Sequence, residues 1–144
     1  MEVRALDAAG FAPYGKVLEI AEPNATMAAE GRNEFKVVDE SDNADGWRLA
    51  VQIVRGRELL QVGHHPNSKE TFEPVSGTAV ICVAPFERPE QLEAFVLDQP
   101  VVVDAKVWHG LIALSREAVV KISENRVMTG TNQKLAKPLR VELV

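Results

Sequence analysis

The amino-acid sequence predicts an all-β protein, and two observations carry that reading. Short apolar runs recur along the whole chain, each bounded by glycine, proline or polar turn residues. Only one segment has strong helical patterning. Taken in order, Leu6 to Phe11 is expected to form a helical turn, and Lys16 to Ile20 the first strand. AEPNATMAAEGRN (21–33) reads as a surface loop, Phe35 to Asp39 as a strand, and SDNADG (41–46) as a second loop. Strands follow at Arg48 to Arg55, Glu58 to His65, Thr71 to Val75 and Thr78 to Ala84, with Gly56, Pro66 and Gly77 marking the breaks. RPEQLEAFVL (88–97) is the expected helix: Pro89 suits a first turn, Glu90 favours the helix dipole, and Leu92, Phe95 and Val96 share one face. Beyond Pro100, strands are expected at Val101 to Asp104, Val107 to Leu114 and Val119 to Ser123. The tail is polar until LRVELV (139–144), which reads as a strand added to a sheet edge or to a partner subunit. Phe35 and Phe72 are expected in the core and Trp108 in an outer packing layer.

Composition bounds the class. With 144 residues, 46% of them hydrophobic, the chain suffices for one domain (1–144) with a sizeable core. A formal charge of −5 without a lysine or arginine run leaves no footprint for nucleic acid or an anionic membrane. The one cysteine, Cys82, lies in TAVICVA and reads as a small buried hydrophobe. Nothing resembles a signal peptide or an apolar span of about 18 residues, so a cytoplasmic location is expected. No glycine-rich phosphate loop is present, so no nucleotide cofactor is expected. Cys82, Ser76 and Ser115 lack a histidine and an acid at recognisable spacing, which gives nucleophilic catalysis little support.

The three histidines fall in two short segments, His64 and His65 in VGHHPNSKETFEPVSG and His109 in DAKVWHGLIAL. After His65 come four residues, Glu70, six more residues and Gly77. These intervals resemble the first signature of the cupin superfamily, and His109 resembles the histidine of the second. Three stretches are similar to the ureidoglycolate lyase family, compact cupins of allantoin degradation: LDAAGFAPYGKVLEI, HPNSKETFEPVSG and VWHGLIAL, with GRNEFKV a weaker match. The likeness runs from Leu6 to about Asn125. It implies a cupin-type antiparallel β-barrel, cytoplasmic lyase activity that splits (S)-ureidoglycolate into glyoxylate and urea, a small carboxylate substrate and a homodimer. The chain departs from the family where an arginine usually precedes the central histidine (here His64) and where a glutamine is usual (here Glu70). Asp104, Gly110 and Lys36 likewise stand where relatives carry histidine.

Successive strand residues point to opposite faces, so His64 and His65 enter the barrel together only if the strand bulges near Gly63. The simplest inward set is His65, Glu70 and His109, expected within about 2.0–2.3 Å of one divalent ion, Zn, Mn, Fe or Ni among the candidates. His64 would join as a fourth ligand on a bulged strand and otherwise be an exposed strand residue. Without a metal, His65, Glu70 and His109 are the candidate catalytic groups. Lys106 and Arg48 are the candidate anchors for a substrate carboxylate, with Lys69 a weaker one. Two other readings share the same residues: a metal-dependent cupin enzyme acting on another small oxygenated acid or sugar, and a cupin that binds a small molecule without turnover.

Overall fold

The computed structural model describes residues 1–18, 26–30 and 33–142. A helical turn, α1 (Ala8–Phe11), is capped by Asp7, whose carboxylate accepts from the Gly10 N–H at 2.7 Å. Eleven strands are described: β1 (Thr26–Glu30), β2 (Asn33–Glu40), β3 (Trp47–Val54), β4 (Leu59–His64), β5 (Glu70–Ser76), β6 (Ala79–Ala84), β7 (Glu93–Leu97), β8 (Val101–Val103), β9 (Trp108–Ala113), β10 (Ala118–Asn125) and β11 (Thr131–Leu139). They form two sheets, ordered β1-β2-β3-β10-β5-β8 and β11-β4-β9-β6-β7, and every strand pairing is antiparallel. The two sheets make an open barrel: the strand pattern predicts its all-β class, and the cupin type is what the family resemblance implies.

Side-chain alternation builds three layers. Ala50 and Val54 of β3, Phe72 of β5, Ile81 of β6, Leu111 of β9 and Ile122 of β10 meet between the sheets. The intervening residues Val51 and Ile53 of β3 pack with Val38 and Val119 on the outside of the first sheet, under Leu18. Val62, Val80, Cys82, Trp108 and Ile112 form the matching layer outside the second sheet. Period two therefore fixes which way every site residue points: inward Leu111 requires inward His109, and outward Ile112 goes with outward Trp108. Gly77 closes the turn from β5 to β6 at φ +70°, and a Cβ there would lie 2.1 Å from the Glu117 carbonyl oxygen.

Several expectations shift. Residues 88–97 are not a helix: a turn covers Pro89 and Glu90, and β7 pairs along β6 from Val83↔Glu93 to Ala79↔Leu97. Pairing with β6 overrides the helical patterning of the segment, and Phe95 and Val96 suit an edge strand. Within the expected loop 21–33, Thr26–Glu30 is β1. Lys16 to Leu18 carry no strand, and residues 19–20 lie outside the described residues. β11 pairs the polar stretch before LRVELV with β4 and ends at Leu139; residues 140–142 carry no strand, and residues 143–144 lie outside the described residues. No described helix is long and apolar enough to cross a membrane.

Cys82 has no solvent exposure, and burial pushes its thiol up to about 11. A thiol-alkylating reagent at about pH 8 is expected to leave the native protein unmodified over a period in which the urea-unfolded chain takes up one label. Mass spectrometry of the two samples reads the outcome, and rapid native labelling would contradict the burial.

Candidate functional site

The strand ends bring together the residues that the spacing singles out. His65 follows the last residue of β4, Glu70 opens β5, and His109 is the second residue of β9, directly opposite Gly63. The loop between β4 and β5 is pinned to the end of β10. The Ser68 hydroxyl accepts from the Asn125 N–H at 3.0 Å, and Asn125 Nδ2 donates to the Asn67 carbonyl at 2.7 Å. The turn before β9 is held by Lys106, the one non-glycine with positive φ (71°) among the described residues. Its N–H donates to the His65 carbonyl at 2.8 Å. That bond ties the two histidine-bearing segments together. Gly130 lets the chain pass close to the His65 ring, since a Cβ there would lie 2.6 Å from Nδ1.

Glu70 lies between the two imidazoles. His65 Nε2 is 2.8 Å from Oε1, and His109 Nε2 is 2.9 Å from Oε2. On the far side of each ring, Nδ1 meets a backbone carbonyl: His65 that of Thr129 at 3.1 Å, His109 that of Val107 at 3.0 Å. A carbonyl oxygen only accepts, so both Nδ1 atoms carry the proton. A neutral ring then turns the Nε2 lone pair toward a carboxylate oxygen, and two lone pairs at such distances repel unless a cation lies between them. Protons on Nε2 or a metal ion satisfy this geometry equally. The donor atoms lie within 4.8 Å of one another, and outer carbonyls that fix the imidazoles are usual around a bound ion. These residues therefore fit a divalent metal.

Behind Glu70 stands Glu124, one residue past the strand Val119 to Ser123 that the sequence predicts and within the observed β10. The signal was available: inward Ile122 makes Glu124 inward too. Its side chain is 2% exposed, and Arg48 Nε donates to its Oε1 at 2.5 Å. Burial, then the hydrogen bond and charge of Glu70, push Glu124 up to about 8 against the pull of Arg48. Burial also pushes on Glu70, but hydrogen bonds from His109, His65 and Glu124 outweigh it and hold that carboxyl well below the usual range. One proton is thus shared on the Glu70–Glu124 side of the site. His65 is raised chiefly by its hydrogen bond to Glu70.

Of the expected carboxylate anchors, Arg48 lines the cavity and Lys106 does not. Lys106 is exposed, and Lys69 pairs with Asp104 at 3.1 Å on the surface. The Arg48 guanidinium is held at Nε by Glu124 and lies 5.6 Å from the Phe35 ring centroid, which leaves its two terminal nitrogens without a partner among the described residues. His64 is neither a ligand nor exposed. It points to the outer layer at 8% exposure, edge-on to Trp108 (4.3 Å between centroids) and Phe86 (5.1 Å), with Nδ1 unpartnered. Strand alternation carries it there, and Phe86 and Trp108 cover it. Burial, then the neighbouring charges of His65 and His109, lower its pKa. The cavity itself is about 1160 Å³, open to solvent between the sheets.

A family model described as ureidoglycolate lyase matches residues 1–137. The chain belongs to the ureidoglycolate lyase family. Within it, the chain is 27% identical over 122 residues to the ureidoglycolate lyase of Rhizobium leguminosarum bv. trifolii (strain WSM2304), covering 76% of this chain and 74% of that one. The ureidoglycolate lyase of Agrobacterium fabrum (strain C58) is 26% identical over the same shares. Among solved structures the fold is similar to Staphylococcus aureus CapF, a capsular polysaccharide assembling protein (TM-score 0.59, 18% identity, 75% of this chain and 30% of that one). It is also similar to Streptomyces PAC13 with uridine (TM-score 0.59, 11% identity, 78% and 87%). This family member thus spans about 30% of CapF but most of PAC13. At such identities the likeness is one of fold.

Proposed function

We propose that this chain cleaves ureidoglycolate to glyoxylate and urea, with His65, Glu70 and His109 as its chemical centre and Arg48 as its carboxylate anchor. The observation that carries the reading, beside family membership, is the Glu70 carboxylate held between two oriented imidazoles next to a guanidinium with a free fork. The reaction removes the proton of the substrate hydroxyl, and the O–H electrons form the carbonyl of glyoxylate. The carbon–nitrogen bond breaks, its pair goes to the urea nitrogen, and that nitrogen takes up a proton. Arg48 offers its terminal N–H groups to the carboxylate, a charge-assisted and bidentate match. His65 polarises the hydroxyl, Glu70 receives its proton, and His109 returns a proton to the departing nitrogen. Lys106, outside the cavity lining, has no part in this reading. When a divalent ion (Zn, Mn, Fe or Ni) is bound, His65, Glu70 and His109 hold it, and it supplies Lewis acidity toward the hydroxyl.

A second reading, a metal-dependent enzyme acting on another small oxygenated acid, draws support from Glu70 standing where the family usually has glutamine. The test is glyoxylate release from ureidoglycolate by the purified protein, with and without each added metal. Release well above the uncatalysed rate supports the lyase. No release under any condition removes it and leaves the second reading.

A further inference from the structure

The inward face of β3 carries Arg48, Ala50, Gln52 and Val54, and both Arg48 and Gln52 line the cavity. Gln52 is the anomaly in that row. Its cross-strand neighbours are Phe35 on β2 and Val120 on β10, so an amide is set among apolar side chains. No hydrogen bond engages its carboxamide among the described residues. Half-buried and lining a cavity open to solvent, the amide meets water there, which a ligand can replace with direct hydrogen bonds. Three residues separate it from Arg48, roughly 13 Å along the backbone, and the Arg48 guanidinium leans over the ring of Phe35, the residue opposite Gln52, which shortens the gap between the two side chains. Between them Ala50 contributes only a methyl group, so the interval stays open to a ligand.

Resting on the lyase reading, we propose that Gln52 is a specificity-determining residue that reads the ureido end of the substrate while Arg48 holds the carboxylate end. The chemistry matches at both ends. A carboxamide presents one acceptor and two donors, and a ureido group presents N–H donors beside a carbonyl, so the two pair reciprocally. The guanidinium fork pairs with the carboxylate. A 2-hydroxy acid without the ureido group would satisfy Arg48 and leave Gln52 unpaired, so the same strand face selects against it.

Two unreactive probes separate the ends by calorimetry on the full chain: hydantoate, which has both a ureido group and a carboxylate, and glycolate, which has only the carboxylate and hydroxyl. Gln52→Leu is expected to weaken hydantoate about tenfold or more and to leave glycolate within about twofold. Unchanged glycolate binding also shows that the variant is folded, and Gln52→Met takes its place should the leucine variant be insoluble. Equal losses for both probes, no loss for hydantoate, or no hydantoate binding by the wild type would each overturn the proposal. Turnover of ureidoglycolate is measured separately. A wild type that fails to release glyoxylate but shows the hydantoate-selective loss sinks the lyase and keeps Gln52, and the converse pair of results sinks Gln52 alone.

Discussion

His65→Ala protein is expected to carry less than about a tenth of the divalent metal that wild type retains through the same purification, and to lose roughly 10²–10⁴-fold in activity. The loss in metal follows because Glu70 and His109 alone offer one imidazole and one carboxylate to an ion that also has water as a competitor. The loss in activity follows on either chemistry, since His65 Nε2 is 2.8 Å from Glu70 and fixes one end of its carboxylate. His64→Ala gives the contrasting result. His64 faces Trp108 and Phe86 on the other side of the sheet, so its removal leaves metal content and activity near wild type while lowering stability through the cavity it opens. Elemental analysis and thermal melts of the three proteins read both halves. Metal retained by His65→Ala would eliminate the site, and metal lost from His64→Ala would mean that the strand presents both histidines inward.

The inward triad was legible because it depends on two local quantities: the intervals from His65 to Glu70 and Gly77, and the period-two alternation that sets His109 inward when Trp108 is outward. Most strands were legible for the same reason, since apolar alternation survives in any sheet that buries one face. Residues 88–97 were not. Their pattern fits a helix in isolation, and the register with β6 that makes them a strand pairs residues ten (Val83↔Glu93) to eighteen (Ala79↔Leu97) positions apart across a turn. The burial of His64 depends on Phe86 arriving from another loop, which no spacing announces. Glu124 lay within reach, one residue beyond Ser123, but its pairing with Arg48 joins residues 76 positions apart. Lys106 shows the opposite failure: its position near His109 suggested reach into the cavity, whereas the left-handed turn uses its backbone N–H and leaves its side chain outside.

Stripped of metal by a chelator, the protein is expected to be more stable near pH 5 than near pH 8, the reverse of what a site of ordinary carboxylates would give. The sign follows from each group in turn. Glu124 is raised in the folded chain from 4.5 to about 8, so between those values the folded state holds a proton that the unfolded state has released, and stability falls as pH rises through that window. His65 is also raised, from 6.5, so its pairing with Glu70 contributes fully below 6.5 and is lost as pH climbs past its folded value. Glu70 is lowered from 4.5, so its contribution is present above 4.5 and disappears only in more acidic solution. His64 acts against them, because its lowered pKa costs stability below 6.5, where the unfolded ring is protonated; the maximum therefore lies between about pH 5 and 6.5. From there to pH 8 the loss is on the order of 3 kcal/mol, a fall of roughly 5–10 °C in melting temperature for a chain of this size. Added divalent metal should shrink or invert the trend, because His65, Glu70 and His109 would hold it only with their ligand atoms deprotonated, so it would bind better as pH rises. Melting curves at about pH 5, 6.5 and 8, with chelator and then with each metal, decide it. A melting temperature that is flat or rising over this range in chelator would show that Glu124 does not keep its proton beside Glu70.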